Sequence, residues 1–247
     1  MVEKETVRRG YDQLATVHDA ERDESGQGMT ILDEFLDACT NLDRVLDAGC
    51  GSGRPVLRLL TERADAVGLD VSAGQLRLAC ERAPAAALLQ GDMASLPFAA
   101  DSFDAVVAFW SLIHVPEDEH QRVLDEFARV CRPDGRVLVC EASGAWNGEN
   151  PDWLDEGVEM QWNMAGAEAT LAQLEDAGFS VEQTWGAPTS LEWDRKNAAD
   201  DDGTTDGNGN GEAAENEAAD DAAAENGGGE NEDDESPWTF IAARLPA

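Results

Sequence analysis

Positive charge is scarce in this chain: of 247 residues only 17 are Lys or Arg, and just two of those, Lys4 and Lys196, are lysines. Against them stand 52 Asp and Glu, for a formal net charge of −35. So few cations cannot neutralise phosphates along a duplex or hold an anionic membrane by a basic face, which removes nucleic acid from the expected partners. Long hydrophobic runs are missing as well. No stretch approaches the roughly 18 apolar residues of a membrane span, and Met1 to Gly10 mixes charges without the apolar centre of a signal peptide. A soluble, cytoplasmic protein with no integral membrane segment is the expectation. Cysteine is limited to Cys39, Cys50, Cys80, Cys131 and Cys140, an odd number with no CxxC pair and no His beside them. Neither a zinc site nor a disulfide framework is expected from that pattern, and no metal ligand set is assigned.

What the chain does have is 42% hydrophobic residues, enough for the core of one α/β domain. The acid-rich, lysine-poor balance resembles proteins of salt-loving microbes, where molar salt shortens the Debye length to about 3 Å and self-repulsion becomes tolerable. A mesophilic protein with an acidic tract is the alternative. The acids are unevenly placed: residues 197–236 hold 15 of them with no basic and no aromatic residue. Such a stretch buries too little apolar surface to offset its ordering entropy and is expected to be disordered. Beyond it, Trp238 to Leu245 is again strand-like, so the tract reads as an insertion before a final core strand over 237–247.

Upstream, strand and helix signals alternate. Strands are expected at Arg44–Asp47, Ala66–Asp70, Leu88–Gln90, Phe103–Trp110, Arg136–Glu141 and Ser180–Trp185. Between them, helices are expected at Met29–Ala38, Pro55–Ala64, from the capping box at Ser72 to Arg82, Glu117–Cys131 (closed by Pro133-Asp134-Gly135) and Glu168–Ala177. Near-continuous apolar strands alternating with helices argue for a doubly wound parallel sheet covered on both faces. The division that follows is a helical cap over 1–40, a core over 41–196 with a less regular substrate-cap segment at 142–166, the insertion at 197–236, and the last strand.

The chemistry concentrates at strand ends. Asp47-Ala48-Gly49-Cys50-Gly51-Ser52-Gly53 leaves a buried strand and enters a helix, and its glycines let backbone approach a ligand closely. A dinucleotide fingerprint would need a small residue where Arg54 stands, and a pyrophosphate would sit poorly beside Asp47, which disfavours a nucleotide-cofactor oxidoreductase. A carboxylate there suits a ligand with positive charge, such as an ammonium or sulfonium. Asp70, at the end of the second strand, can accept from both hydroxyls of a ribose. Asp92, at the end of the third, can accept from an adenine amino group with Met93 packed on the ring.

These motifs together resemble the class I S-adenosylmethionine-dependent methyltransferases, particularly the small-molecule group that includes the quinone-biosynthesis type. The likeness runs from about Arg9 to Arg195 and resumes at Trp238. It implies a Rossmann-like, seven-stranded, mostly parallel α/β sheet whose last strand is antiparallel and inserted between strands five and six. It further implies S-adenosylmethionine as cofactor and S-adenosylhomocysteine as product, bound by Asp47, Gly49, Cys50, Gly51, Gly53, Asp70, Val71, Asp92, Met93 and Phe109. Tyr11, in Tyr11-Asp12-Gln13-Leu14-Ala15, is similar to a family tyrosine that covers the cofactor, although the second aromatic of that pattern is His18 here. His114 is the best-placed candidate for a general base, with a structural loop residue as the other reading. Glu141 is open between facing the pocket and being a solvated strand end. Trp110, Trp146 and Trp162 are candidates for the substrate pocket, suiting an apolar or aromatic small molecule. A non-catalytic S-adenosylmethionine-binding or regulatory protein is the alternative to methyl transfer, and oligomeric state is left unassigned.

Overall fold

A computed structural model describes residues 2–21, 26–187 and 238–247. The acidic insertion expected at 197–236 lies outside the described residues. Seven strands form one sheet: β1 (Arg44–Ala48), β2 (Asp65–Asp70), β3 (Ala87–Gln90), β4 (Phe103–Ala108), β5 (Cys131–Ala142), β8 (Ser180–Ala187) and β9 (Trp238–Arg244). Their order is β3-β2-β1-β4-β5-β9-β8, the first five parallel and β9 antiparallel to both neighbours. The expected insertion of the last strand between β5 and the sixth sheet strand is observed.

Alternate residues along each strand point to opposite faces. Val45, Val107, Leu138 and Phe240 pack on one face with Leu32 and Phe35 of α2 (Gln27–Ala38) and Leu57 and Leu60 of α3 (Val56–Arg63). Leu46, Val106, Val137 and Ile241 pack on the other with Leu124 and Phe127 of α5 (Glu117–Val130) and Leu174 of α6 (Ala167–Asp176). Two covered faces demand apolar residues at every strand position, which is why the strands read as continuous apolar runs rather than alternating ones. Each such side chain contributes roughly 1.5–3 kcal/mol on burial.

Three local features differ from the expectation. An N-terminal helix, α1 (Lys4–Glu21), precedes α2; its buried stripe includes Thr6, Gly10, His18 and Asp19 besides Val7 and Leu14, and those small and polar members hide the helical period. The segment 142–166 is not irregular but forms a hairpin of β6 (Trp146–Trp153) and β7 (Val158–Met164), which lies against α1. The outward side of β6 is polar and exposed, so half the hairpin carries no apolar signal. The Pro133-Asp134-Gly135 turn does not separate helix from strand; β5 begins at Cys131, directly after α5. The turn bulges from within it, with Phe103 paired to Cys131 and Ala105 to Arg136, and Asp134 in the left-handed region at φ 68°.

Strand β9 is held on both edges, seven residue pairs to β5 and seven to β8. Excising residues 197–236 and rejoining the flanks by a short turn is therefore expected to leave a cooperative thermal transition in far-UV circular dichroism, since a longer or shorter surface loop changes closure entropy only logarithmically. Deleting 197–247 is expected to abolish that transition, because two strands lose their partner. Equal behaviour of the two deletions would contradict the placement of β9.

Candidate functional site

Between β1 and α3 the chain turns through Gly49-Cys50-Gly51-Ser52-Gly53. The Gly49 and Cys50 amides both donate to the Leu69 carbonyl on β2, at 2.7 and 3.1 Å, which fixes the loop on the neighbouring strand. Gly49 has φ 84°, and a Cβ there would lie 2.3 Å from the Ser111 Cβ, so only glycine fits. Gly53, with φ 82°, instead lets α4 (Ala73–Arg82) close on the loop, a Cβ there meeting Ala79 at 3.1 Å.

Asp70 ends β2 with both carboxylate oxygens committed to backbone: Oδ2 accepts from the Gly51 amide and Oδ1 from the Ser72 amide, each at 2.8 Å. Those contacts tie the glycine loop to the start of α4 and hold the carboxylate in one orientation. A carboxylate offers about four acceptor sites, so its capacity exceeds two amides. Ser72 caps α4 as the sequence pattern predicts, its Oγ accepting from the Gln75 amide at 3.1 Å. Asp12 of α1 completes the cap, accepting from the Ser72 hydroxyl at 2.7 Å and the Gly74 amide at 2.8 Å. Gly74 is required by this docking, since a Cβ would come within 2.9 Å of the Asp12 carbonyl oxygen. Buried Asp19 near the other end of α1 pairs with Arg82 at 2.9 Å and Arg54 at 3.5 Å.

Helix α1 thus roofs a cleft, open to solvent, at the carboxyl ends of β1, β2 and β4. Gly49, Gly51, Asp70, Val71, Asp92 and Met93 line its sheet side, and Lys4, Tyr11, Trp110, Ser111 and His114 its other walls. Nine residues singled out from the sequence meet here. Asp47, Cys50, Gly53 and Phe109 do not line the cleft: Asp47 is buried on β1 and Cys50 within the loop, and Phe109 packs edge-on under Trp110 at 4.6 Å. Trp162 is buried behind His114, ring centroids 5.9 Å apart, while Trp146 is 49% exposed and lies 6.4 Å from Trp162. Neither lines the cleft.

Sequence reading missed Lys4 and Asp12. Asp92 accepts from the Ala94 amide at 2.9 Å through Oδ1, capping the turn Met93–Ser95, and pairs through Oδ2 with the Lys4 ammonium at 2.7 Å. Lys4 also reaches Glu119 at 2.6 Å. Burial opposes its charge, but the hydrogen bonds to Asp92 and Glu119 outweigh it and hold the ammonium above its ordinary value. The rarity of lysine in the chain is the one sequence signal that could have drawn attention to it. Tyr11 and His114 join through Oη and Nε2 at 2.8 Å, and His114 Nδ1 lies 3.0 Å from the Gln161 carbonyl of β7.

Other expectations are corrected by burial. His120 is fully buried in α5, which pushes its pKa down, and its Nε2 contacts the Val115 carbonyl at 3.0 Å. Glu141 neither lines the cleft nor meets solvent; it is fully buried on β5, its Oε1 accepting from the Ala142 amide at 2.8 Å. Among the described residues no cysteine is in a disulfide, and Cys80 is exposed. Burial lifts the Cys39 thiol to about 11 and the Cys131 thiol to about 12. Among the described residues no group of three or more His, Cys, Asp or Glu could hold a metal, and no helix is long and apolar enough to cross a membrane.

Residues 45–135, from β1 to the turn in β5, match the family model of the methyltransferase domain. Methyltransferase GfsG of Streptomyces halstedii is 38% identical over 126 residues, covering 48% of this chain and 44% of that protein. A demethylmenaquinone methyltransferase of Renibacterium salmoninarum is 33% identical over 138 residues, covering 54% and 57%. These matches span about half of those relatives' lengths. Among solved structures, the N-methyltransferase NodS of Bradyrhizobium japonicum in complex with S-adenosylhomocysteine is 14% identical, with TM-score 0.59 over 90% of this chain and 87% of that one. At that identity the likeness is one of fold.

Burial raises the Glu141 carboxyl from 4.5 to about 7, against hydrogen bonds from the Ala142 and Ala165 amides and with a further rise from Glu117. Folding therefore takes up a proton between those values, and this group makes stability fall as pH rises from about 4.5 to about 7. The full effect is on the order of 3 kcal/mol. Glu141→Gln is expected to flatten the urea midpoint across that window; an unchanged pH profile would show that another group carries it.

Proposed function

We propose that this chain, whose residues 45–135 match the family model of the methyltransferase domain, is an S-adenosylmethionine-dependent methyltransferase acting on a small apolar or aromatic acceptor. The observation that carries the reading is Asp70: a strand-end carboxylate locked by two amides at the edge of a glycine-floored cleft, where open α/β sheets take their ligands. The cofactor fits what the cleft offers. Asp70 suits its ribose hydroxyls, the Gly49 and Gly51 backbone leaves room for its amino-acid arm, and buried Asp47 favours its positive charge. Met93 and Val71 supply an apolar surface for its adenine, beside Asp92, which Lys4 already pairs. When bound, the cofactor supplies an electrophilic methyl group and its own leaving group.

What remains for the protein is positioning. Alignment of an acceptor within the cleft converts a bimolecular encounter into an effectively unimolecular step. Trp110, Tyr11 and His114 stand where the acceptor would approach, and Trp162 stiffens His114 from behind. The relative named demethylmenaquinone methyltransferase supports a small-molecule acceptor. A cytoplasmic location is consistent with the absence of a membrane-crossing helix among the described residues.

Calorimetry with S-adenosylmethionine, S-adenosylhomocysteine and NAD tests the reading directly. Binding of the two adenosyl ligands and not NAD is expected; tight NAD binding alone would overturn it. Asp70→Ala is expected to weaken S-adenosylmethionine binding by roughly tenfold or more, the loss of charge-assisted hydrogen bonds worth about 1.5–3 kcal/mol. An unchanged affinity in a variant with wild-type melting temperature would remove Asp70 from the site.

A further inference from the structure

We infer that Tyr11 and His114 form a proton relay and that the acceptor is a weakly acidic hydroxyl, phenolic or enolic, methylated on oxygen; this rests on the methyltransferase reading above. Three contacts carry the inference. His114 Nδ1 lies 3.0 Å from the Gln161 carbonyl, an atom that can only accept, so Nδ1 bears the imidazole proton and Nε2 is the basic nitrogen. Nε2 lies 2.8 Å from Tyr11 Oη, so the phenol donates to it. Both side chains line the cleft, Tyr11 from α1 and His114 from the 3-10 turn Leu112–His114 after β4. The tyrosine oxygen, having given its proton toward Nε2, is left as the acceptor that an incoming hydroxyl meets.

The balance of the step is simple. The acceptor O–H bond breaks as its proton passes to Tyr11 Oη, while the tyrosine proton passes to His114 Nε2. The acceptor oxygen uses the freed electron pair to form the new O–CH₃ bond, and the pair of the breaking C–S bond leaves on sulfur. His114, then an imidazolium donating from Nδ1 to Gln161, returns its extra proton to water. The imidazole cannot rotate away, because the β7 carbonyl holds one edge and Trp162 packs at 5.9 Å behind it.

The same relay sets the substrate class. The net proton acceptor is an imidazole, a base of ordinary pKa about 6.5, so the transfer is far less uphill from a phenol or enol of pKa near 10 than from an aliphatic alcohol, which is about as acidic as water. Trp110 supports a planar partner. It lines the cleft with φ 50°, a strained left-handed conformation for a tryptophan, with Phe109, Phe240 and Trp238 packed edge-on around it. A flat aromatic face held at that point fits a ring better than a chain.

Two measurements on the full chain decide it. Nitrogen-15 NMR of the histidine-labelled protein without ligand is expected to show His114, assigned with a His114→Gln variant, as the Nδ1–H tautomer; the Nε2–H tautomer would overturn the relay whatever the enzyme methylates. Turnover of 4-methylphenol and of the far more acidic 4-nitrophenol, with S-adenosylmethionine, is then compared in wild type, Tyr11→Phe and His114→Gln. Each variant is expected to lose about 10²-fold with 4-methylphenol, in the range of a general base, and at least about tenfold less than that with 4-nitrophenol, which arrives largely ionised. Equal losses with both phenols would mean a packing role and overturn the relay. A wild type that binds S-adenosylmethionine yet methylates neither phenol overturns the substrate class. Failure to bind S-adenosylmethionine at all strikes the parent reading instead, and the tautomer still decides the relay.

Discussion

The site depends on Asp70 and the two backbone amides it holds. Its oxygens take the Gly51 N–H on one side and the Ser72 N–H on the other, so one carboxylate positions both the glycine loop and the first turn of α4. Each of these amides would otherwise need water or a ligand. Asp12 then adds α1 to the same assembly, through the Ser72 hydroxyl and the Gly74 amide. Loop, helix and roof are linked within a few hydrogen bonds of one strand end. A charge-assisted bond to an amide is worth about twice a neutral one, which is why an acid at this position can organise backbone that no apolar contact reaches.

The chain's few cations are spent in the same way. Arg82 and Arg54 converge on buried Asp19 to fasten α1, Lys4 bridges Asp92 and Glu119, and Arg132 pairs with Asp104 between β4 and β5. Most of these pairs are partly exposed, so each contributes little by itself at ordinary ionic strength. Their value lies in orientation: in a chain of net charge −35 a cation placed at a junction joins elements that would otherwise repel. Arg54, which excludes a dinucleotide fingerprint by its size, is from this side an anchor for the N-terminal helix.

Aromatic packing connects that helix to the hairpin of β6 and β7. Tyr11 meets His18, His114 and Trp153 edge-on, with ring centroids 5.1, 5.2 and 5.3 Å away, and Trp153 and Trp162 continue the contact into the hairpin. His18, which stands where the family pattern has a second aromatic, takes that aromatic's place in this cluster. Of the three tryptophans that look like substrate contacts in the sequence, Trp162 is buried in this packing, Trp146 is exposed and Trp110 faces the cleft.

By itself the sequence determined the parallel sheet, the strand character of its last segment and the strand-end acids, because these are written in short-range patterns; the antiparallel placement of that last strand was implied by the resemblance alone. Continuous apolar runs demand two covered faces, and a glycine turn after such a run demands a backbone-lined cleft. Tertiary structure alone decided which of those residues meet. The helix α1 was illegible because its buried stripe is small and polar, and the hairpin because one of its faces is solvated. The pairing of Tyr11 with His114, 103 residues apart, and the capture of Asp92 by Lys4, 88 residues apart, have no local signature at all. Contacts between distant segments are set by how the elements pack, and only packing could show that the chain's single tyrosine and one of its two lysines belong to the same cleft.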